Sequence, residues 1–361
     1  MLKQFGFFLI LFVWSGYAYS EDTTLVGKIP LRKSYVTGIV LPSRSPENGW
    51  YAQGGIIKVF KTDYLDSTLR ASNIYLFGMY SQLNQFRISV GGEIFTPKEK
   101  YFIYSWIYYS YTPELFFGTG QDVTYDKNEF ISYRVFYSQI DVLRKIKGHL
   151  FAGINTRIEL PYDFEYADGG LFQHSYRNNE DFTVIGGGLR IRYDSRDNVL
   201  STKSGSYIDF STNAYNPWTN RQFQFTNYNL DMRRFYSVNE RKRQVFSVQC
   251  MAKFSDGTTP FRYLPNITTR AYNPNLYKDN ILLMARSEFR FAVYKFIGLS
   301  LFSGVGIVAP TANMISLNQT KWNIGGGFRF LVSPKYNMNL RVEYGAGEGT
   351  SNYYIAFTDA F

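Results

Sequence analysis

The amino-acid sequence predicts an all-β protein, a transmembrane antiparallel β-barrel of sixteen strands. Three observations predict it. Segments about ten or more residues long alternate lipophilic and polar side chains, which sends them to opposite faces of an extended backbone. Aromatic residues are 19% of the 361-residue chain while mean hydropathy is only -0.24, so rings are plentiful in a chain that is not hydrophobic on average. No helix-length apolar run follows the N-terminal one, which leaves strands to cross a bilayer.

The alternation is clearest in GHLFAGINTRIEL, where Leu150, Ala152, Ile154, Ile158 and Leu160 alternate with Gly153, Asn155, Arg157 and Glu159. It recurs in ILLMARSEFRFAV, in KWNIGGGFRFLV and in NMNLRVEYGA, where Leu340, Val342 and Tyr344 oppose Asn339, Arg341 and Glu343. A soluble sandwich also alternates, but its strands are commonly about five or six residues long. Strands across an outer membrane run about 9 to 11 residues, apolar outward and polar inward. Closure follows, because no unpaired backbone edge can face hydrocarbon.

At the N terminus, MLKQFGFFLILFVWSGYAYS sets Lys3 before the apolar run Phe5 to Trp14, with Ala18 and Ser20 spaced for a cleaving peptidase. The run is about half of the roughly 20 residues that a membrane anchor needs. It predicts a secretory signal over residues 1–20, a short periplasmic segment over 21–34 and a barrel over 35–361, located in the bacterial outer membrane. A single cysteine, Cys250, excludes an internal disulfide and with it a small stapled fold. The formal charge of +10 is spread along strands instead of gathered into runs, which points away from nucleic acid.

Taken in order, the expected strands are Tyr35–Leu41, Tyr51–Phe60, Leu69–Tyr80, Gln85–Phe95, Tyr101–Tyr111, Phe130–Val142, Gly148–Leu160 and Phe182–Asp194. Then come Ser206–Tyr215, Phe223–Phe235, Val245–Phe254, Asn280–Tyr294, Phe296–Val308, Lys321–Val332, Asn337–Ala346 and Tyr353–Phe361. The first is short, contains Gly38 and is expected to stop at Pro42, which cannot donate a ladder hydrogen bond. The second, third and fifth alternate weakly. In the eighth, Leu189, Ile191 and Tyr193 face lipid while Arg190, Arg192 and Asp194 face a polar interior. In the last, Tyr353, Ile355, Phe357 and terminal Phe361 alternate in a manner similar to the signal by which assembly machinery recognises outer-membrane barrels. An even count returns both termini to the periplasmic side. Odd connections such as Tyr111 to Phe130, Pro161 to Asp181 and Ser255 to Asp279 are long, and even ones such as Tyr294 to Phe296 are mostly short. The long even exception is SRDNVLSTKSG, after the eighth strand.

That exception carries a resemblance. The run GLRIRYDSRDNVLSTKSGSYIDF, Gly188 to Phe210, resembles the barrel signature of the bacterial surface antigen family, the superfamily of BamA, TamA and the two-partner secretion transporters. Asp194, Arg196, Asp197, Asn198 and Gly205 match, and Thr202 stands where the family usually has proline. Between the eleventh and twelfth strands, the family's long extracellular loop folds into the lumen and carries a Val-Arg-Gly-aromatic tip. Here TTRAYNPNLYKDN places Arg270 and Tyr272 in the matching positions and Ala271 in place of glycine. The resemblance implies a loop lock in which Arg270 pairs with an inner-wall carboxylate. Glu288, in the next strand, is the implied partner, and Gly304 stands where the family's second acidic group sits in the thirteenth strand.

The resemblance also implies function. Family members that insert or export proteins carry periplasmic polypeptide-transport-associated domains, for which the stretch from Glu21 to Tyr35 has no room. The expectation is a barrel-only member that inserts or translocates protein or lipid through a weak first/last-strand seam, with periplasmic or outer-membrane accessory proteins replacing those domains. Outer-membrane lipid and the assembly machinery are its other expected partners. The alternative is a passive channel lined by Arg87, Arg157, Arg190, Arg192, Arg286, Arg290, Arg329 and Arg341, which would favour anions. Glu93, Glu159, Asp194, Glu288 and Glu343 neutralise much of that bias. No enzyme is expected: His149 and His174 fall at opposite ends of a barrel, and His174 with Asp168 is the single candidate pair. No metal spacing, phosphate loop or dinucleotide fingerprint occurs, so no cofactor or metal is expected.

Overall fold

Where lipophilic and polar residues alternate, the backbone is extended and each strand pairs with its neighbours. The computed structural model describes residues 23–26, 29–32, 34–66, 69–175, 182–199, 201–216, 223–239, 244–333 and 338–357. The expected secretory signal and the terminal Phe361 lie outside them. Among the described residues, sixteen antiparallel strands close into one barrel. They are β1 (Ser34–Ser45), β2 (Gly49–Phe60), β3 (Ser72–Ser81), β4 (Phe86–Phe95), β5 (Tyr101–Tyr111), β6 (Glu129–Lys147), β7 (Leu150–Glu165) and β8 (Val184–Asp194). They continue as β9 (Gly205–Tyr215), β10 (Phe225–Ser237), β11 (Gln244–Gly257), β12 (Ile281–Tyr294), β13 (Ile297–Ala309), β14 (Lys321–Ser333), β15 (Met338–Gly347) and β16 (Thr350–Phe357). A short hairpin, Thr23–Val26 with Ile29–Arg32, precedes β1.

The two faces separate as the alternation requires. Leu189 and Ile191 of β8 are 61% and 47% exposed beside Ile154 and Ala152 of β7, on a wall that carries exposed aliphatic and aromatic side chains all round. Asp194, Arg290, Arg329 and Glu343 are buried inside. Cys250 lies exposed on β11. The long connections 112–128 and 258–280 lie at one end, here the loop end, while β1 starts and β16 stops at the other, the terminal end.

Several expected boundaries are corrected: β6 runs past Val142 to Lys147, and β7 runs past Leu160, through Pro161, to Glu165. β1 does not stop at Pro42: its register with β2 is continuous from Ser34 opposite Phe60 to Ser45 opposite Gly49, with Pro42 opposite Ala52. The donor that Pro42 lacks is therefore missing on the seam side, where a strand edge tolerates it. On that side, Ile355 opposite Arg44 is the single registered pair with β16 among the described residues. β3 begins at Ser72 instead of Leu69, because Leu69 turns inward to pack with Phe95, Phe102, Leu143 and Phe151 across the terminal end.

Candidate functional site: a loop clasped across the lumen

The segment 258–280 leaves β11, enters the lumen and returns to β12. Its limbs are held together by the Ile267 N–H donating to the Tyr277 carbonyl at 3.0 Å and the Asp279 N–H to the Pro265 carbonyl at 3.0 Å. Lys278 also bridges to Gly120 of the neighbouring long connection. Ile267, Ala271, Tyr272 and Leu276 bury themselves against Leu282, Met284 and Val308 of the wall. Burying those side chains supplies the apolar driving force for the inward fold.

Glycines make room for it. A Cβ on Gly345 would stand 2.1 Å from the Arg270 carbonyl oxygen, and one on Gly306 would stand 3.1 Å from Ile267. The loop therefore lies directly on the backbone of β13 and β15, a close approach that only glycine permits. Gly304 belongs to the same bed: a Cβ there would meet Thr269 at 3.2 Å and the Asn323 Oδ1 at 2.6 Å.

Arg270 sits at the tip and is 8% exposed. One guanidinium nitrogen donates to both carboxylate oxygens of Glu343 at 3.0 Å, and the other lies 2.6 Å from Glu288. The guanidinium carbon lies over the Phe302 ring, 3.5 Å from its centroid. Glu343 also accepts from Arg341 at 2.6 Å and from Ser300 at 3.3 Å. Arg290 and Arg329 each lie 3.6 Å from Glu288. Backbone groups of the tip are held too: Asn323 donates to the Arg270 carbonyl at 3.1 Å and Asn352 to the Ala271 carbonyl at 2.6 Å. Tyr272 donates to the Trp322 carbonyl at 2.6 Å and accepts the Glu348 N–H at 2.9 Å.

Thus the structure brings Arg270, Ala271, Tyr272 and Glu288 together. Sequence reasoning missed Glu343 as a partner of Arg270. With Gly304 in β13, the second carboxylate comes from β15, and only the curvature of the closed wall carries it to the loop. A second arginine was missed as well. Arg262, on the incoming limb, is ion-paired with Glu159 of β7 and bonds to the Tyr133 hydroxyl of β6. Tyr133 in turn donates to Glu114 at 2.6 Å, and Asn275 donates to the other Glu114 oxygen at 2.8 Å. The loop is a strut, tied to one wall by Arg270 and to the opposite wall by Arg262.

The signature residues sit at the terminal end. Asp194 accepts two bonds of 2.9 Å from the Arg196 guanidinium. Asp197 accepts the N–H groups of Lys203 and Ser204 at 2.9 and 3.2 Å, and Asn198 accepts that of Ser201 at 2.9 Å. Gly205 has φ +113, and a Cβ would stand 2.3 Å from the Ser195 carbonyl, so the tight return into β9 requires glycine. Arg290 donates to the Thr202 carbonyl at 2.8 Å, which joins this turn to the cluster around Glu288. At the seam, Arg44 donates to the Tyr353 carbonyl at 3.0 Å and lies 3.4 Å over its ring. Gly38 is opposite Ile56, and Phe357 is opposite Leu340. His149 lies in the β6–β7 turn and His174 in the short helix Leu171–Ser175 at the other end. Among the described residues no three His, Cys, Asp or Glu side chains gather as metal ligands would.

The barrel has counterparts among solved structures. Haemophilus ducreyi BamA lacking POTRA domains 1–3 superposes with a TM-score of 0.59 at 10% identity, over 91% of this chain and 70% of that one. Escherichia coli CdiB gives 0.58 at 10%, over 96% and 67%, and Acinetobacter baumannii CdiB gives 0.56 at 9%, over 91% and 60%. The fold is that of a BamA- and CdiB-like barrel. No protein-family model matches the sequence, and no curated protein does. The likeness is one of architecture: the BamA/CdiB-like barrel is built here from a sequence sharing about a tenth of its residues with either, and it spans 60–70% of their length.

Proposed function

We propose that this chain is an outer-membrane barrel of the BamA/TamA-like superfamily that inserts or translocates protein or lipid through its wall. The N-terminal leader directs it across the inner membrane, and outer-membrane lipid and accessory proteins are its partners. The observation that carries this reading is the clasped loop. With the lumen crossed by a strut tied to both walls, a client moves through the wall, and the seam between β1 and β16 is where the described ladder is thinnest. Arg270, Glu288 and Glu343 lock the loop, while Asp194, Arg196, Asp197, Asn198 and Gly205 shape the turn that braces the lock from the terminal end. A passive channel is the second reading, favoured by the cavity of about 630 Å³ beside the loop. Against it, Arg157, Arg190 and Arg192 are ion-paired with Asp141 or Asp209, which removes much of the field that would select anions.

The test is a seam disulfide between Arg44→Cys and Ile355→Cys in a Cys250→Ser background, with the protein reconstituted in vesicles. The readout is the rate at which an unfolded eight-stranded outer-membrane barrel folds into those vesicles. Reduced protein should accelerate folding, the oxidised form should not, and a reductant should restore the acceleration. Equal rates in both forms, or no acceleration by either, would overturn the proposal.

A further inference from the structure

Most charged groups inside the barrel are paired. Arg157 meets Asp141, Arg190 meets Asp209 and Arg270 meets Glu343. Two charged groups without such a pair line one cavity of about 630 Å³ at the loop end, beside the strut. Arg87 lies 4.8 Å from the Tyr108 ring and 5.9 Å from the Trp106 ring. It makes no ion pair among the described residues, and its Nε is buried without a hydrogen-bond partner. Glu47, in the β1–β2 turn, has one carboxylate oxygen buried without a hydrogen-bond partner, and the other takes a 3.4 Å bond from Asn48. Burial pushes the Glu47 carboxyl up from its ordinary value, against hydrogen bonds to its own backbone and to Ser45. The rest of the lining offers aromatic faces, those of Tyr51, Tyr75, Trp106 and Tyr111.

Charges held out of water without a counter-charge are costly, and a ligand that supplies the counter-charge recovers that cost. An anion would satisfy Arg87 and leave Glu47 stranded, and a cation would do the reverse. A ligand carrying both charges satisfies both. The cavity is within the range of about 300–1,000 Å³ typical of small-molecule sites, and its rings suit an aromatic body. We infer that this cavity binds a small zwitterion with an aromatic body, of the size of a dipeptide, with its carboxylate on Arg87 and its ammonium on Glu47. The inference goes beyond the transport reading and does not depend on it, because among the described residues neither group bonds to Arg270, Glu288 or Glu343 or across the seam.

The experiment is titration calorimetry on the full chain refolded in a non-ionic detergent, with phenylalanyl-tyrosine and its N-acetylated and C-amidated forms. The free dipeptide should bind, and blocking either end should weaken binding about tenfold or more, as the loss of a charged hydrogen bond does. In Arg87→Gln the amide and the free acid should bind alike. In Glu47→Gln the acetylated and free amines should bind alike. Unheated gel mobility identifies folded variants. No heat from the free dipeptide at millimolar concentration, or binding indifferent to both blocks, would overturn the inference. So would binding of maltotriose with the dipeptide silent, which would make the cavity a neutral saccharide site.

Discussion

Arg270 is one of four guanidinium groups, with Arg290, Arg329 and Arg341, that lie within 4 Å of just two carboxylates, Glu288 and Glu343. The balance decides which substitution hurts most. Removing Arg270 leaves three cations for two anions, whereas neutralising Glu343 leaves four cations for one. Breaking a buried pair costs about 3–5 kcal/mol when a charge is stranded. Glu343→Gln should therefore lower unfolding stability in urea by about that much, and by more than Arg270→Ala does. The opposite order would mean that the cluster is not short of negative charge. At this scale the sequence was half legible. Arg270 announces itself through TTRAYNP, and Glu288 through its place on the next strand. Glu343 does not, because nothing in a linear pattern says that β15 curves round to the loop tip.

At the scale of elements, most of the sixteen strands could be read from period-two alternation, because each has one face in lipid and one in the lumen, while β2, β3 and β5 alternate weakly. The misreadings fall where that rule is suspended. Pro42 is accommodated because β1 is an edge at the seam, and Leu69 leaves the strand pattern to plug the terminal end. The loop 258–280 has no period at all, so Arg262 was illegible and only a motif marked Arg270. Its outgoing limb carries a testable group. Burial lowers the Lys278 ammonium from 10.5 to about 8, with Glu114 opposing that shift and Arg262 adding to it. Between those two values the unfolded chain holds a proton that the folded chain has released, so stability rises with pH across that window. Below about 8 the buried charge costs stability in full. Lys278→Met should then be more stable than the parent at neutral pH, with the gain fading toward pH 10.5. Urea unfolding of both proteins across that range measures it, and a gain independent of pH would show that Lys278 is not charged against its surroundings.

The whole molecule is a closed wall with a tied strut inside. Closure was legible because an outer face such as that of β8, with Leu189 and Ile191 in the open, leaves no other way to satisfy backbone groups in lipid. The state of the lumen was not, since it depends on contacts between residues as distant in sequence as Arg262 and Glu159. A barrel of this size with an empty lumen conducts ions steadily, and one crossed by a strut does not. The central claim, that the clasp at Arg270 keeps the lumen shut, is tested most directly by conductance of the refolded protein in a planar bilayer, parent against Arg270→Ala. The account predicts small, flickering currents from the parent that grow when Arg270 is removed. Large, steady, anion-selective current that is the same in both proteins would contradict it.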